Sequence, residues 1–156
     1  MTLCVRDIMV KAFDTIHKDA PMETAIQMIL NGRVRETGDK TNSLMVVDDY
    51  RKLAGVITMF DILYHLRPSF LNYGINGDEL AWDSRQLAKC VQDLKDKRVY
   101  EIMSTHINGA SLDEHLIVIL DRMIKNKFHR LPVLENGRPI GVVYMADLYF
   151  SLFSKS

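Results

Sequence analysis

The sequence predicts a mixed α/β (α+β) fold made of two similar halves with a helical insertion between them. Two phrases carry this prediction: residues 55–61 read GVITMFD, and residues 141–147 read GVVYMAD. Earlier in each half, residues 5–9 (VRDIM) are echoed by residues 99–103 (VYEIM). Short phrases duplicated in the same order along a chain indicate an internal structural repeat.

Apolar residues at helical spacing predict one helix in each half. The first begins at Met22 and stops near Gly32, and the second begins at Leu112. The apolar faces consist of Met22, Ile26, Ile29 and Leu30 in the first half, and of Leu112, Leu116, Ile119, Leu120 and Met123 in the second.

Two short apolar runs follow in each half, separated by turn residues, which predicts a β-hairpin. The runs are residues 44–47 and 54–58 in the first half, and residues 131–134 and 140–143 in the second. Asn136-Gly137 is a strong hairpin-turn signal. Asp61 and Asp147 are each predicted to open a short amphipathic helix, the first of which is closed by Pro68.

These elements predict three segments: a first repeat at residues 1–66, a linker with a helical insertion at 67–98, and a second repeat at 99–156. Each repeat reads strand–helix–strand–strand–helix over about 50 to 60 residues, which is too few to bury a good core alone. The two repeats are therefore expected to pack on each other with pseudo-twofold symmetry and a cleft between them.

In the insertion, Asp78 is predicted to cap a helix that runs to Lys97. This helix carries a partial apolar stripe formed by Leu80, Leu87, Val91 and Leu94. Such a stripe does not by itself identify what it faces, so packing on the helix's own domain is favoured over contact with a partner.

Composition excludes several classes of function. Of the 156 residues, 47% are hydrophobic and 26% are charged, which is typical of a folded soluble protein. Lys plus Arg and Asp plus Glu both number 20, so charge gives no support for bulk nucleic-acid binding. No apolar run reaches the roughly 20 residues of a membrane helix, and the start lacks a secretory signal, so we expect a cytoplasmic protein with no membrane partner. Cys4 and Cys90 are expected to be buried thiols, with a disulfide between them left open.

These motifs match a known family. The segments VRDIM and VYEIM, LMVVDD (44–49), HRLPVLENG (129–137), and above all GVITMFDIL and GVVYMADLY resemble a tandem pair of cystathionine-β-synthase (CBS) domains, also called a Bateman module. The resemblance covers both halves and leaves out residues 67–98. It implies two β-α-β-β-α repeats that pack through their sheets and leave two clefts. It also implies that the clefts bind an adenosine nucleotide such as AMP, ADP or ATP, and that the module forms a homodimer.

In this family the hydroxyl and carboxylate of a Gly-x-x-Thr-x-x-Asp phrase commonly contact the nucleotide. The resemblance therefore implies that Asp61 accepts hydrogen bonds from ribose and that Thr58 reaches phosphate. An acceptor-only carboxylate suits a vicinal diol, and a helix N-terminus favours an anion. The structural alternative is that Asp61 caps its helix and Thr58 is a plain strand residue.

The second repeat departs from the pattern, since Tyr144 replaces the hydroxyl residue while Asp147 is retained. The phenol either fills the cleft or offers its ring or hydroxyl to a ligand. Some nucleotide-sensing members use a His-Arg pair before the hairpin to contact phosphate, which implicates His129 and Arg130. A solvated basic edge is the alternative for that pair.

The base of the ligand is expected near the first strand of each repeat, mostly through backbone contacts. The resemblance places these contacts at Thr15 and Ile16 in the first half, and at Ile107 and Asn108 in the second.

The sequence contains no GxSxG, HExxH, P-loop or GxGxxG motif, and its five histidines show no metal-ligand spacing. We therefore expect no catalysis and no metal or catalytic cofactor. The favoured hypothesis is an energy-sensing regulatory module that signals to an effector protein. The alternatives are a ligand-free dimerisation or protein-interaction module whose clefts are closed by Tyr144 and methionines, and a small enzyme or redox protein that uses Cys4 or Cys90.

Overall fold

The computed structural model describes residues 3–35, 40, 42–68 and 84–154. The first half contains α1 (Val5–Ile8), β1 (Thr15–His17), α2 (Met22–Leu30), β2 (Ser43–Val47), β3 (Leu53–Thr58) and α3 (Met59–Leu66), followed by α4 (Ser84–Lys95). The second half contains α5 (Val99–Ile102), α6 (Leu116–Asn126), β4 (Arg130–Glu135), β5 (Arg138–Tyr144) and α7 (Met145–Phe153). The order of elements repeats between the halves, except that β1 has no counterpart among the described strands of the second half, and the short helices α1 and α5 were not predicted.

Each half has its own small sheet. In the first, β1 pairs parallel to β2, and β2 pairs antiparallel to β3. In the second, β4 and β5 form an antiparallel pair. The expected first strand of the second half is reduced to one parallel bridge between Ala110 and Val133. Ile107 and Asn108 therefore precede that bridge and lie outside any strand.

The two hairpin turns form where turn chemistry predicts them. Asn136 and Gly137 have φ angles of 54° and 79°, and such a pair of positive angles matches the twist of the flanking strands. In the first hairpin, Arg51 adopts the positive φ, at 62°. The side chain of Asp48 stabilises that turn by accepting hydrogen bonds from the backbone N–H groups of Tyr50 and Lys52.

Each half completes its core with a short helix from the other half. Val5 of α1 is fully buried in the core around β4 and β5, whereas Val99 and Ile102 of α5 are buried in the core around β2 and β3. The chain after each helix then forms a bridge to the opposite sheet: Val10 pairs with Val142, and Ser104 pairs with Val56. The two halves are therefore interlocked in a pseudo-symmetric way.

This exchange explains why both copies of the repeated phrase begin with glycine. A Cβ on Gly55 would lie 2.6 Å from Met103 Sδ and 2.8 Å from the Ser104 carbonyl oxygen. A Cβ on Gly141 would lie 2.9 Å from Met9 Sδ. Each glycine leaves room for the segment that crosses over from the other half.

Three helix starts differ from the prediction. α6 begins at Leu116 rather than Leu112, because the Leu112 carbonyl is already bonded to the backbone N–H of Arg6 in α1. The ring of His115 caps the helix instead, as its Nδ1 accepts from the Ile117 N–H at 3.0 Å. α3 and α7 begin two residues before Asp61 and Asp147, which places both carboxylates at the third helical position.

The described part of the insertion packs on the first half, as expected. Leu94 of α4 is 4% exposed and belongs to the first core, whereas Leu87 faces solvent. Asp78 and Leu80 lie outside the described residues. Cys4 and Cys90 are free thiols that are half-buried rather than buried. Within the described ranges, every helix is too short or too polar to cross a bilayer.

Candidate functional site

The start of α3 forms a reciprocal capping box between Thr58 and Asp61. The Thr58 hydroxyl accepts from the Asp61 N–H at 3.1 Å, and Asp61 Oδ2 accepts from the Thr58 N–H at 2.9 Å. The hydroxyl proton of Thr58 is also donated to Asp61 Oδ2, at 2.9 Å. In this arrangement Thr58 is the N-cap residue, the reverse of the expected structural alternative.

The capping box leaves half of the Asp61 carboxylate available. Both bonds from Thr58 go to Oδ2, and within the described residues no protein group bonds to Oδ1. Asp61 can therefore stabilise its helix through one oxygen and accept a ligand hydroxyl through the other. Thr58, whose one proton is already donated, holds the carboxylate in place.

Asp61 lies in a cavity of about 590 Å³ between the two halves. The cavity combines residues predicted from the first repeat, Thr58 and Asp61, with His129 and Arg130 from the second. Ile107 and Asn108 also line it, as does the segment from Asn126 to Phe128 at the end of α6. Residues that the sequence places about seventy positions apart thus share one site.

Arg130 supplies a partly desolvated positive charge to this cavity. Its Nη1 donates to Asn42 Oδ1 at 2.8 Å, and among the described residues no carboxylate lies within ion-pairing distance of it. Burial lowers the pKa of Arg130, while Tyr144 and Asp61 act in the opposite direction. A half-buried guanidinium bonded to a neutral amide retains donors for an anion.

The two remaining basic groups at this edge, Lys127 and His129, are exposed. Lys127 adopts a left-handed conformation at the end of α6, with φ of 56°. The His129 carbonyl accepts from the Met145 N–H, which ties this edge to the start of α7.

The equivalent positions of the second repeat are arranged differently. Tyr144 precedes α7 without capping it through its side chain, so Asp147 has no reciprocal partner at the helix start. Asp147 Oδ2 instead accepts from Arg35 Nη2 at 2.5 Å, and the Arg35 guanidinium lies 3.7 Å from the centre of the Tyr144 ring. Burial raises the pKa of Tyr144, and the charges of Arg35 and Arg130 oppose that rise.

Thr15 and Ile16 line neither of these two sites. Ile16 is 6% exposed and belongs to the first core, while Thr15 is exposed on β1. The neighbouring Asp14 lines the second site, and its side chain accepts from Arg33 at 3.1 Å.

Several lining residues were missed by sequence reasoning. His106 and Ser104 belong to the crossover segment, and Phe60 and Leu63 lie on the outward face of α3. His106 could have been found, because it stands just before Ile107 and Asn108. Arg35 carried no signal, since its partner Asp147 lies in the other repeat.

The chain belongs to the CBS domain family. The family model for the CBS domain matches residues 5–68 and 99–154, which together make up most of the chain. The fold is therefore that of a CBS domain pair. No curated protein matches the chain.

Solved structures share the fold at low identity. The CBS domain of a CBS domain containing membrane protein from Sphaerobacter thermophilus is 22% identical, with a TM-score of 0.70 over 95% of this chain and 86% of that one. The CBS domain pair of protein MJ0100, in complex with 5-methylthioadenosine and S-adenosyl-L-methionine, is 23% identical, with a TM-score of 0.67 over 100% of both chains. CBSX2 in complex with AMP is 19% identical, with a TM-score of 0.68 over 97% of this chain and 96% of that one.

Proposed function

We propose that this protein is a regulatory module that binds an adenosine nucleotide in the cavity between Asp61 and Arg130. One observation carries the proposal: Asp61 and Arg130 line the same open cavity. Within the described residues, Asp61 Oδ1 accepts no hydrogen bond, and Arg130 donates to the amide of Asn42 and not to a carboxylate. Asp61 would accept from the ribose hydroxyls, and Arg130 would donate to phosphate. Ile107 and Asn108 offer backbone groups to the base.

The charge of Arg130 favours AMP, ADP or ATP over the other adenosyl compounds. The structural neighbours carry AMP in one case, and 5-methylthioadenosine with S-adenosyl-L-methionine in another. A half-buried guanidinium attracts phosphate and repels a sulfonium, and an uncharged thioether leaves it without a counter-ion.

The mechanism we propose is a population shift. Residues of both repeats line the cavity, so a ligand there contacts both at once. It favours whichever arrangement of the repeats binds it better, by no more than its difference in affinity for the two states. The output would pass to an effector protein, and the chain itself would carry out no catalysis.

A thermal-shift titration with AMP, ADP, ATP and S-adenosyl-L-methionine tests the proposed ligand class. Ligand at about 100 times its dissociation constant should stabilise the fold by roughly 2.7 kcal/mol. In a chain of this size each kcal/mol raises the melting temperature by about 2–4 °C. Asp61→Ala should reduce the rise by about half or more, and Asp147→Ala should leave it unchanged. A rise with none of the four ligands would rule out the nucleotide proposal.

We also propose that the module forms a homodimer through α3 and α7. Both helices expose large apolar side chains at matching places in the two repeats, such as Tyr64 in α3 and Phe150 in α7. Exposed apolar faces of this kind mark interaction sites, and a twofold interface uses the same patch on both copies.

Sedimentation velocity over a range of concentrations tests the dimer. Phe153→Glu, which places a charge on a side chain 72% exposed in α7, should shift the protein towards monomer. Tyr50→Glu is the matched control, because Tyr50 is 74% exposed in the β2–β3 turn, away from both helices. A wild-type protein that sediments as a monomer throughout would contradict the dimer.

The rival function is a ligand-free interaction module, and the second site favours it in part. At that site Arg35 lies against the Tyr144 ring, and the pocket beside Tyr144 measures only about 30 Å³. The open cavity at Asp61 is the feature that the rival does not explain.

A further inference from the structure

The two clefts are equivalent by position in the repeats but differ greatly in volume. Phe13 and Asp14 correspond to Ile107 and Asn108, and Tyr144 corresponds to Thr58. The cavity at Asp61 measures about 590 Å³, whereas its counterpart beside Tyr144 measures about 30 Å³. A pocket of about 30 Å³ is far smaller than the several hundred Å³ of a typical small-molecule site, so it is too small for a nucleoside.

A side chain of the same protein contacts both Tyr144 and Asp147, the counterparts of Thr58 and Asp61 in the second repeat. Arg35 comes from the connection between α2 and β2, and only 13% of its side chain is exposed. It pairs with Asp147 at 2.5 Å and stacks on the Tyr144 ring at 3.7 Å. A planar guanidinium in this position forms an ion pair with the carboxylate and a cation–π contact with the aromatic ring at the same time.

The change from threonine to tyrosine explains why this happens in one cleft only. In the first cleft the Thr58 hydroxyl and N–H bind Asp61 Oδ2 and fix that carboxylate at the helix start. Tyr144 makes no such bond, so Asp147 is available to Arg35. Tyrosine in place of threonine at this position of the repeat thus removes the side-chain cap of α7 and supplies the aromatic ring that the Arg35 guanidinium contacts.

We propose that Arg35 is a built-in occupant of the second cleft, which it closes to nucleotides by holding Asp147 in an ion pair. The module then takes one nucleotide per chain, in the first cleft. This inference rests on the proposed function for its binding consequence, but the Arg35–Asp147 contact can be tested without any nucleotide.

The ligand-free test labels carboxylates with a carbodiimide and glycine ethyl ester, followed by peptide mass spectrometry. Asp147 should label several-fold faster in Arg35→Ala than in the wild type, while Asp61 labels equally in both. Arg6→Ala is the matched control, because Arg6 pairs with the exposed Asp113 and neither residue lines either cleft. Equal labelling of Asp147 in the wild type and in Arg35→Ala would overturn the proposal.

The binding test is a calorimetric titration with AMP. The wild type should bind one AMP per chain, and Arg35→Ala should bind a second that is lost again when Asp147→Ala is added. Two AMP molecules on the wild type, or still only one on Arg35→Ala, would overturn the proposal while leaving the nucleotide function intact. No AMP binding by any variant would instead count against the proposed function, and the labelling result would then decide the role of Arg35 alone.

Discussion

At the scale of single residues, Asp61 and Asp147 show how one side-chain type serves two purposes. Both stand at the third position of a helix, yet Asp61 bonds to Thr58 and Asp147 bonds to Arg35. The sequence predicts both carboxylates as site residues. It could not predict Arg35, because the ion pair depends on how the repeats pack.

The role assigned to Arg130 predicts a preference for phosphate. The wild type should bind AMP about 10- to 100-fold more tightly than adenosine, since a charge-assisted hydrogen bond contributes roughly 1.5–3 kcal/mol. Arg130→Ala should remove that preference, and calorimetry with both ligands measures it.

Arg130→Lys is the control for this prediction. It keeps the charge but loses the planar fork, so the preference should be intermediate. An unchanged ratio of the two affinities in Arg130→Ala would mean that Arg130 only supports the fold through Asn42.

At the scale of elements, the sequence predicts those whose stabilising contacts are local. The hairpin turn at Asn136-Gly137 follows from neighbouring residues and was found as expected. The predicted apolar face of α2 was confirmed in part, because its other members pack in the first core but Leu30 is 58% exposed. The predicted start of α6 was wrong by four residues, because the backbone around Leu112 is hydrogen-bonded to α1 from the other half. Pairing across that distance leaves no local pattern in the sequence.

The close crossing at Gly55 predicts that alanine is poorly tolerated there. Gly55→Ala should lower the free energy of unfolding by about 1–3 kcal/mol, because the added methyl group overlaps both Met103 Sδ and the Ser104 carbonyl. Gly141→Ala should cost less, since its nearest contacts are 2.9 and 3.1 Å away. Urea denaturation of both variants measures the ranking, and unchanged stability of Gly55→Ala would contradict the crossing.

The segment that leads into α6 predicts a dependence of stability on pH. The pKa of Glu114 lies below its ordinary value of 4.5, chiefly because Arg122 donates to it, at 2.7 Å to Oε2. A lowered pKa in the folded state gives stability that is present above pH 4.5 and is lost as the pH falls through the lower folded value. The advantage of the wild type over Glu114→Gln in urea should therefore shrink below about pH 4.5.

Arg122→Gln provides the partner check for this pair. The free energy of unfolding of Arg122→Gln should be lower than that of the wild type at neutral pH, and this difference should shrink as the pH falls below about 4.5. If the difference in unfolding free energy between Arg122→Gln and the wild type stays constant from pH 7 down to acid unfolding, then ionisation of the Glu114–Arg122 pair does not contribute to stability.

At the scale of the whole molecule, the exchange of α1 and α5 makes the two repeats one folding unit. Ile102 belongs by sequence to the second repeat but is buried in the core of the first. Ile102→Ala should cost about 2–5 kcal/mol. For backbone amides of β2 and β4 that exchange only through global unfolding, the variant should raise the exchange rate by the same factor in both strands.

Leu87→Ala, at a site 52% exposed in α4, is the matched control and should leave exchange in both strands unchanged. Faster exchange in β2 alone after Ile102→Ala would show that the repeats unfold independently.

We propose above that the cavity between Asp61 and Arg130 binds an adenosine nucleotide. The most direct measurement is a calorimetric titration of AMP into the wild type, Asp61→Ala and Asp147→Ala. We predict saturable binding to the wild type, its retention in Asp147→Ala, and at least a tenfold weaker affinity in Asp61→Ala. Binding that survives Asp61→Ala and disappears with Asp147→Ala, or no binding by the wild type, would contradict the claim.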